Sequence, residues 1–294
     1  MTGSAAPSVL VTGARGFLGR ALVAEFQRRG TRVLTVGAGE DAPDLAAALA
    51  RLPRPTAVVA LSAASPLSDQ AAHEALTLGQ VLPLLPALGG RCRLVALGSA
   101  AEYGAALPGA GLLDEDHPRQ PISPYGLAKA RLMDEMHRAH DRGADVLGLR
   151  LFSAAGPGMS RHSLWGALEA QLREDRRPVV TGPLGGARDI LPGDLAARII
   201  ATLALAPCRP PAVINLGAGQ AMPLRPLVQA VLRHHGPGID LQETAASEPP
   251  TAFAADITRL RQFYPDIAPP RTETLARHIA TGSQTDFSKP KDAL

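Results

Sequence analysis

The sequence predicts an α/β fold, in which a doubly wound parallel sheet is followed by a smaller mixed C-terminal lobe. Two observations predict it: strand-like apolar runs alternate with helical patterns along the chain, and a glycine-rich turn joins the first strand to the first helix. With 294 residues the chain is long enough to form one large domain or two lobes.

The first strand, turn and helix lie within residues 9–19, VLVTGARGFLG. Gly13, Gly16 and Gly19 have the spacing at which missing side chains permit a sharp turn, close approach of backbone to a pyrophosphate, and tight helix packing. The pattern predicts a Rossmann-type dinucleotide site at the helix N-terminus, with an ordinary strand–helix turn as the alternative. The cofactor residues expected here are Gly13, Arg15, Gly16, Phe17, Leu18 and Gly19.

Three further strands are predicted before residue 100. Residues 31–36 alternate in polarity, whereas residues 57–61 and 93–97 are continuous apolar runs, as in buried parallel strands. Helical patterns at 44–52 and 68–88 separate them.

Small residues follow two of these strands. Leu61 is followed by Ser62 and Ala63, and the next strand is followed by GSAA at 98–101. An open α/β sheet binds its ligand outside the carboxyl ends of its strands. We therefore expect Leu61, Ser62 and Ala63 to line the cofactor site.

A polar loop at 105–120 precedes a helix that we expect to begin after Ser123, with Pro124 in its first turn. Tyr125 and Lys129 are four residues apart and therefore share one face of this helix. Of the 30 basic residues only three are lysines, and the other two, Lys289 and Lys291, lie near the C-terminus. A compact ammonium can bind a ribose and lower the pKa of a nearby phenol.

The C-terminal half has the pattern of a mixed lobe. Helical stretches lie at 163–176, 194–206 and 223–235, with short strands around Val179 and Val213. We expect a dinucleotide-binding domain at 1–158, a substrate lobe at 159–280 of which about 193–216 returns to the first domain, and a flexible tail at 281–294.

Composition excludes several classes of protein. The net charge is +3 and the pI about 9.2, but the arginines are scattered, so we expect no nucleic-acid partner. Cys92 and Cys208 form no disulfide framework and are expected to be buried, reduced thiols, and the eight histidines show no metal-ligand spacing. With no signal peptide and no long apolar segment, the sequence predicts a cytoplasmic protein that spans no membrane.

These motifs together resemble the extended short-chain dehydrogenases/reductases, a family of NAD(P)-dependent nucleotide-sugar epimerases, dehydratases and ketoreductases. The resemblance covers nearly the whole chain. The motifs that carry it are TGARGFLG at 12–19, GSAAEYG at 98–104, YGLAK at 125–129, LRLFSAAGPG at 149–158, RDI at 188–190 followed by Asp194, VINLG at 213–217 and ADI at 255–257.

The resemblance implies a catalytic set of Ser99, Tyr125 and Lys129. The nicotinamide would exchange a hydride with a substrate carbon, Tyr125 would exchange the proton on its oxygen, and Ser99 would orient that oxygen. Lys129 would bind the cofactor and tune Tyr125. The resemblance further implies that Phe152 contacts the cofactor, and that Ser99, Ser153 and Arg188 contact the substrate.

Departures from the family pattern reduce the number of reactions that we expect of this chain. Dehydratases carry an Asp-Glu pair just after the catalytic serine, whereas Ala100 and Ala101 stand here, so a 4,6-dehydratase is not expected. Glu102 is out of register for that role. We interpret it as a loop or rim carboxylate, with a catalytic base as the alternative.

The residues that select between NAD and NADP also depart from the family pattern. NAD-binding members end their second strand with Asp or Glu, but Gly37 stands at that place, and Arg15 in the glycine turn could face a 2′-phosphate. We expect NADP, with NAD as the alternative. The short interval between residues 36 and 57 indicates that one strand near the adenine is shortened or absent.

The substrate is less well specified. Ser153 stands where sugar-nucleotide enzymes often have Asn, Leu191 where they often have His, and residues 244–253 lack a diphosphate-binding arginine. A nucleotide-sugar ketoreductase or epimerase is expected. An NADPH-dependent reductase of a small non-nucleotide ketone or aldehyde is the alternative, followed by a non-catalytic dinucleotide-binding protein. A homodimer is compatible with the sequence.

Overall fold

The structure is a computed structural model that describes residues 6–36, 47–48, 55–61, 78–79, 92–105, 111–246 and 250–282. The described strands are β1 (Ser8–Thr12), β2 (Arg32–Val36), β3 (Pro55–Ala60), β4 (Arg93–Ser99), β5 (Leu112–Leu113), β6 (Val146–Leu151), β7 (Ala154–Ala155), β8 (Val179–Thr181), β9 (Ala187–Asp189), β10 (Leu191–Pro192), β11 (Val213–Leu216), β12 (Ala221–Pro223), β13 (Leu241–Glu243) and β14 (Ala252–Ala255). The described helices of at least one full turn are α1 (Phe17–Arg28), α2 (Pro124–Asp141), α3 (Leu164–Arg173), α4 (Gly193–Ala204), α5 (Leu224–His235), α6 (Thr258–Arg261) and α7 (Thr272–Thr281).

The chain divides into two compact units. The first comprises Met1–Gly104, Pro118–Leu151 and Ala197–Ile214. The second comprises Ala105–His117, Phe152–Ala196 and Asn215–Leu294. This division differs from a boundary at residue 158, and the assignment of the two parts to cofactor and substrate stays a prediction.

Six strands form one sheet in the order β11-β6-β4-β3-β1-β2. The ladders that join β2, β1, β3, β4 and β6 are all parallel. Because β2 lies on one side of β1 and β3 on the other, the strand order reverses beside the carboxyl end of β1, which is the expected ligand position in such folds. The predicted doubly wound α/β class is confirmed.

Helix α2 carries two of the predicted site residues and packs against the sheet. Ser123 caps it by accepting a hydrogen bond from the Gly126 N–H at 3.0 Å, and Pro124 occupies the first turn as predicted. Met133 is fully buried, and a Cβ added at Gly148 on β6 would overlap its sulfur. The glycine therefore makes room for α2 against the sheet.

Arg93, at the start of β4, holds residues 197–214 against the rest of the first unit. Its buried guanidinium donates to three backbone carbonyls of the returning segment and forms an ion pair with Asp145 at 2.9 Å. The three acceptors are the carbonyl oxygens of Leu203, Ala206 and Cys208, at 2.7, 2.9 and 2.7 Å.

The second unit contains three small sheets, ordered β12-β9-β14-β5, β10-β7 and β13-β8. Its core is a cluster of apolar side chains that includes Trp165, Leu227, Val231 and Leu275. Asp189 on β9 is buried and accepts hydrogen bonds from the N–H groups of three residues outside its own strand, which ties neighbouring segments together. These donors are Ala218, Gly219 and Ala255, at 2.6, 2.9 and 3.0 Å.

Three features differ from the sequence-based expectations. The loop at 105–120 contains the strand β5, which pairs with β14. Helix α7 was not predicted, although Leu275 and Ile279 form its buried face. Cys208 is exposed rather than buried, whereas Cys92 is buried as expected.

Several expectations lie outside the described residues. Of the helices predicted at 44–52 and 68–88, only residues 47–48 and 78–79 are described, and these are helical. The expected shortened strand after residue 36 and the tail beyond residue 282 are not described. Within the described ranges, no helix combines the length and apolar character needed to cross a bilayer, and no group of three or more His, Cys, Asp or Glu side chains is arranged to hold a metal.

Candidate active site

The glycine turn after β1 has the geometry that its sequence predicts. Gly13 has φ 69°, in the left-handed region, and its carbonyl oxygen accepts the Gly16 N–H at 3.0 Å. A Cβ added at Gly19 would overlap the Gly13 carbonyl and lie 2.7 Å from Ala14 Cα. The start of α1 therefore packs against the turn so closely that only glycine fits.

This turn fits the diphosphate of a dinucleotide. Helix α1 begins at Phe17, and its N-cap residue Gly16 has no side chain with which to cap the first N–H groups. These amides, together with the positive end of the helix dipole, form a site for an anion. Arg15 is exposed on the turn, and Phe17 and Leu18 are half-buried.

The other expected cofactor residues are distributed as follows. Leu61 directly follows β3 and is half-buried, whereas Ser62, Ala63 and the cofactor-selecting position Gly37 lie outside the described residues. Phe152 belongs to the second unit, where its ring centroid lies 5.9 Å from that of Phe253.

The first unit brings Ser99, Tyr125 and Lys129 together at the carboxyl end of β4. Ser99 is the last residue of β4, and its side chain is hydrogen-bonded to the Tyr125 hydroxyl. Lys129 lies one helical turn beyond Tyr125, with its Nζ 5.7 Å from the ring centroid. This Nζ donates a hydrogen bond to the Leu97 carbonyl oxygen at 2.7 Å.

Burial governs the protonation of Tyr125 and Lys129. Burial lowers the pKa of Lys129 to about 8, while the negative charge of Glu102 opposes this change. Burial raises the pKa of Tyr125, the Ser99 hydrogen bond opposes the increase, and Glu102 adds to it. The pKa of the phenol is therefore raised rather than lowered, because desolvation is the largest effect on it.

Glu102 is not the loop or rim carboxylate that its sequence position suggests. Its side chain is fully buried and forms an ion pair with Arg150 at 3.0 Å. Its other oxygen accepts the Ser99 N–H at 3.0 Å. Arg150 is not among the residues expected from the sequence, although an arginine within the apolar strand VLGLRL is a signal for a buried charge that needs a partner.

The expected substrate residues Ser153 and Arg188 belong to the second unit. The Ser153 carbonyl accepts the Leu191 N–H at 3.0 Å, which joins β7 to β10. The Arg188 guanidinium lies 5.3 Å from the Phe253 ring centroid, and its Nη1 donates to the Thr251 carbonyl oxygen at 2.8 Å. Arg188 is therefore held on an aromatic face, where a cation is favoured.

Comparison with known proteins decides the family. Residues 9–217 match the NAD dependent epimerase/dehydratase family over more than half of the chain. The chain belongs to this family. It is therefore an NAD(P)-dependent enzyme of the extended short-chain dehydrogenase/reductase type, as the sequence motifs predict.

Relatives of this family member include a dTDP-6-deoxy-L-talose 4-dehydrogenase (NAD(P)(+)) from Kitasatospora kifunensis. The two are 30% identical over 266 residues, which cover 82% of this chain and 83% of that protein. Among solved structures, RMD from Pseudomonas aeruginosa, complexed with NADPH, has a TM-score of 0.78 at 21% identity and covers 94% of this chain and 98% of its own. The UDP-N-acetylglucosamine 4-epimerase from Methanobrevibacter ruminantium, in complex with UDP-N-acetylmuramic acid, has a TM-score of 0.79 at 20% identity, covering 94% and 96%.

Proposed function

We propose that the protein is an NADP(H)-dependent ketoreductase that interconverts a hydroxyl and a keto group on a nucleotide-linked 6-deoxyhexose. The observation that carries this proposal is the hydrogen-bonded pair of Ser99 and Tyr125 beside buried Lys129. Ala100 and Ala101 support reduction rather than dehydration, because neither can exchange a proton. The substrate class is supported by the dTDP-sugar 4-dehydrogenase that is 30% identical to this chain.

Tyr125 is the proton donor in this proposal. A phenol whose pKa is raised by burial stays protonated at neutral pH and can give its proton to the oxygen of a carbonyl that is being reduced. In this step the Tyr125 O–H bond breaks, an O–H bond forms on the substrate, and the negative charge moves to the Tyr125 oxygen. Bound nicotinamide supplies the hydride for the carbon.

Ser99 and Lys129 assist this proton transfer. The Ser99 hydroxyl orients the substrate oxygen toward Tyr125, since a hydroxyl both donates and accepts hydrogen bonds. The Lys129 ammonium binds the ribose of the cofactor and stabilises the phenolate that Tyr125 becomes. Gly13, Gly16 and Gly19 bind the diphosphate through the turn they form.

We further propose that NADP(H) is preferred to NAD(H). Arg15 is exposed on the glycine turn, and among the described residues its side chain has no hydrogen-bond or ion-pair partner. A guanidinium at this place can bind a 2′-phosphate.

In this proposal the first unit binds the cofactor, and the second unit binds the sugar nucleotide through Ser153 and Arg188.

We place the enzyme in the cytoplasm. Both cysteines are free, as is typical of proteins in a reducing compartment.

The test of this function uses the full-length protein, dTDP-6-deoxy-L-talose and NADP+, with the product identified by mass spectrometry. The expected result is stoichiometric formation of NADPH and a product that has lost two hydrogen atoms. Reduction of small ketones without any turnover of nucleotide sugars would instead assign the enzyme to non-nucleotide substrates.

Mass analysis of nucleotides released from freshly purified protein separates a ketoreductase from an epimerase. A ketoreductase exchanges its cofactor in every turnover, so we expect little retained dinucleotide. Tightly retained NAD, together with a C4 epimer formed without net NADPH, would contradict the proposal.

A further inference from the structure

Glu102 contacts Ser99 but takes no part in the proposed proton transfer. Its Oε1 accepts the Ser99 N–H at 3.0 Å, while the Ser99 Oγ accepts the Ala101 N–H at 3.1 Å. These reciprocal bonds form a capping box on the short helical turn Ala100–Glu102. Ser99 is therefore held at its backbone and at its hydroxyl by the same turn.

The second oxygen of Glu102 is fixed by arginine. Oε2 accepts from Arg150 Nε at 3.0 Å and lies 3.8 Å from Arg119 Nη1. Arg150 is itself held by Tyr103, whose hydroxyl accepts from Nη1 at 2.6 Å and whose ring centroid lies 4.6 Å from the guanidinium. The carboxylate thus cannot turn away from Ser99 without breaking a buried network.

The charged and titratable groups around Glu102 come from several elements. They are Arg150 on β6, Arg119 before α2, Tyr103 after the helical turn, and Tyr125, Lys129, Asp134 and His137 on α2. Burial raises the pKa of Glu102, and the charges of Arg150 and Arg119 together with the Ser99 N–H oppose this effect.

Such an ion pair is not needed to fill the core. Apolar side chains of similar volume often stabilise a protein as well as a buried ion pair does. The sequence nevertheless makes room for the carboxylate, since a Cβ added at Gly98 would lie 2.7 Å from Glu102 Oε1. Burying a carboxylate costs free energy, so the position of Glu102 beside Ser99 indicates a role in the proposed active site.

We propose that Glu102 is a positioning residue of the active site: its carboxylate holds Ser99 in register with Tyr125, and its negative charge favours protonated Tyr125 and charged Lys129. This inference rests on the proposed function, in which both of those forms are needed for reduction. It assigns Glu102 no contact with substrate or cofactor.

The sign of the electrostatic effect follows from the charges. The negative charge of Glu102 raises the pKa of both Tyr125 and Lys129. A neutral residue at this position lowers both values, so each group loses its proton at a lower pH. The falling alkaline limb of the kcat profile for reduction therefore moves to lower pH.

Two variants separate position from charge. Glu102→Gln keeps an oxygen for the Ser99 N–H but removes the charge, and we expect its alkaline limb to move down by about one pH unit. Glu102→Asp keeps the charge but shortens the side chain. We expect its alkaline limb to stay in place while kcat falls about tenfold with little change in KM, because Ser99 is displaced.

A readout without substrate accompanies these assays. NADPH affinity, measured by fluorescence titration across the same pH range, depends on charged Lys129, and its loss should begin at lower pH in Glu102→Gln. Asp145→Asn is the matched control. It removes the negative charge that pairs with Arg93 at the N-terminal ends of β4 and β6, away from Ser99 at the carboxyl end of β4. Its pH profiles should equal those of the wild type.

Wild-type kcat and pH profiles in folded Glu102→Gln would overturn the charge role. If Glu102→Gln does not fold, wild-type kcat in folded Glu102→Asp would overturn the positioning role, since that variant keeps the negative charge but shortens the side chain. Tyr125→Phe distinguishes these outcomes from failure of the proposed function. An active Tyr125→Phe refutes the function itself, whereas an inactive one beside normal Glu102 variants refutes only this inference.

Discussion

Lys129 Nζ donates a hydrogen bond to the carbonyl oxygen of Leu97 at 2.7 Å, which fastens helix α2 to β4 through a side chain that is only 2% exposed. An ammonium can make this bond and still present two further N–H groups from one compact centre. The planar guanidinium of arginine needs more space and cannot reproduce this geometry.

We therefore predict that Lys129→Arg is severely impaired although it preserves the charge. Turnover should fall by about tenfold to a hundredfold, as expected for loss of a charge-assisted hydrogen bond worth about 1.5–3 kcal/mol. Steady-state kinetics with NADPH provide the measurement. A fully active Lys129→Arg enzyme would show that charge alone is sufficient.

The pKa of Lys129 predicts a pH dependence of cofactor binding. Burial lowers this pKa to about 8, so the ammonium is present below pH 8 and is lost as the pH rises through that value. NADPH affinity should accordingly fall above pH 8. Calorimetric titration of wild type and Lys129→Met checks this, and the fall should be absent from the variant. An unchanged slope in Lys129→Met would assign the pH dependence to another group.

Gly19→Ala should weaken both stability and dinucleotide binding. The added methyl would overlap the Gly13 carbonyl, and overpacking of this kind costs about 1–3 kcal/mol. Thermal unfolding and NADPH titration measure the two effects. Gly182→Ala is the control, because no atom lies within 4 Å of its added Cβ. Equal behaviour of the two variants would contradict the close packing at the turn.

Cofactor preference should depend on Arg15 and Gly37. Arg15→Ala should weaken NADP(H) selectively by about tenfold to a hundredfold, through loss of a charge-assisted contact. Gly37→Asp should shift preference toward NAD(H), because its carboxylate accepts from the ribose hydroxyl and repels a 2′-phosphate.

Titration of both cofactors into each variant tests this preference. Arg138→Ala serves as the control, since Arg138 is an exposed arginine on α2 that pairs with Glu135. Tighter binding of NAD(H) by the wild type, with no selective effect of Arg15→Ala, would reject the NADP assignment.

The sequence predicted the parts of the site that depend on local spacing. The turn glycines are constrained by one another within seven residues, and Tyr125 and Lys129 share a face because they are one helical turn apart. Ser99 could be placed through the family motif. For the turn glycines and for the Tyr125 and Lys129 pair, the determining spacing lies within a short segment, so the pattern of residue types is sufficient.

Other parts depend on pairing between distant segments and were missed. The ion pair of Glu102 and Arg150 joins residues 48 apart, so neither residue alone reveals that the carboxylate is buried. Strand β5 has two residues and is a strand only because β14 pairs with it. The raised pKa of Tyr125 also escaped prediction, because desolvation depends on all surrounding atoms rather than on its sequence neighbours.

The most direct test of the account is single-turnover reduction of a nucleotide-linked 4-keto-6-deoxyhexose by NADPH-saturated Tyr125→Phe. The substitution removes the proton donor and leaves the glycine turn and Lys129 in place. We predict a rate lower than wild type by about a hundredfold to ten-thousandfold, with NADPH affinity within about twofold. A near-wild-type rate in this variant would show that Tyr125 does not donate the proton.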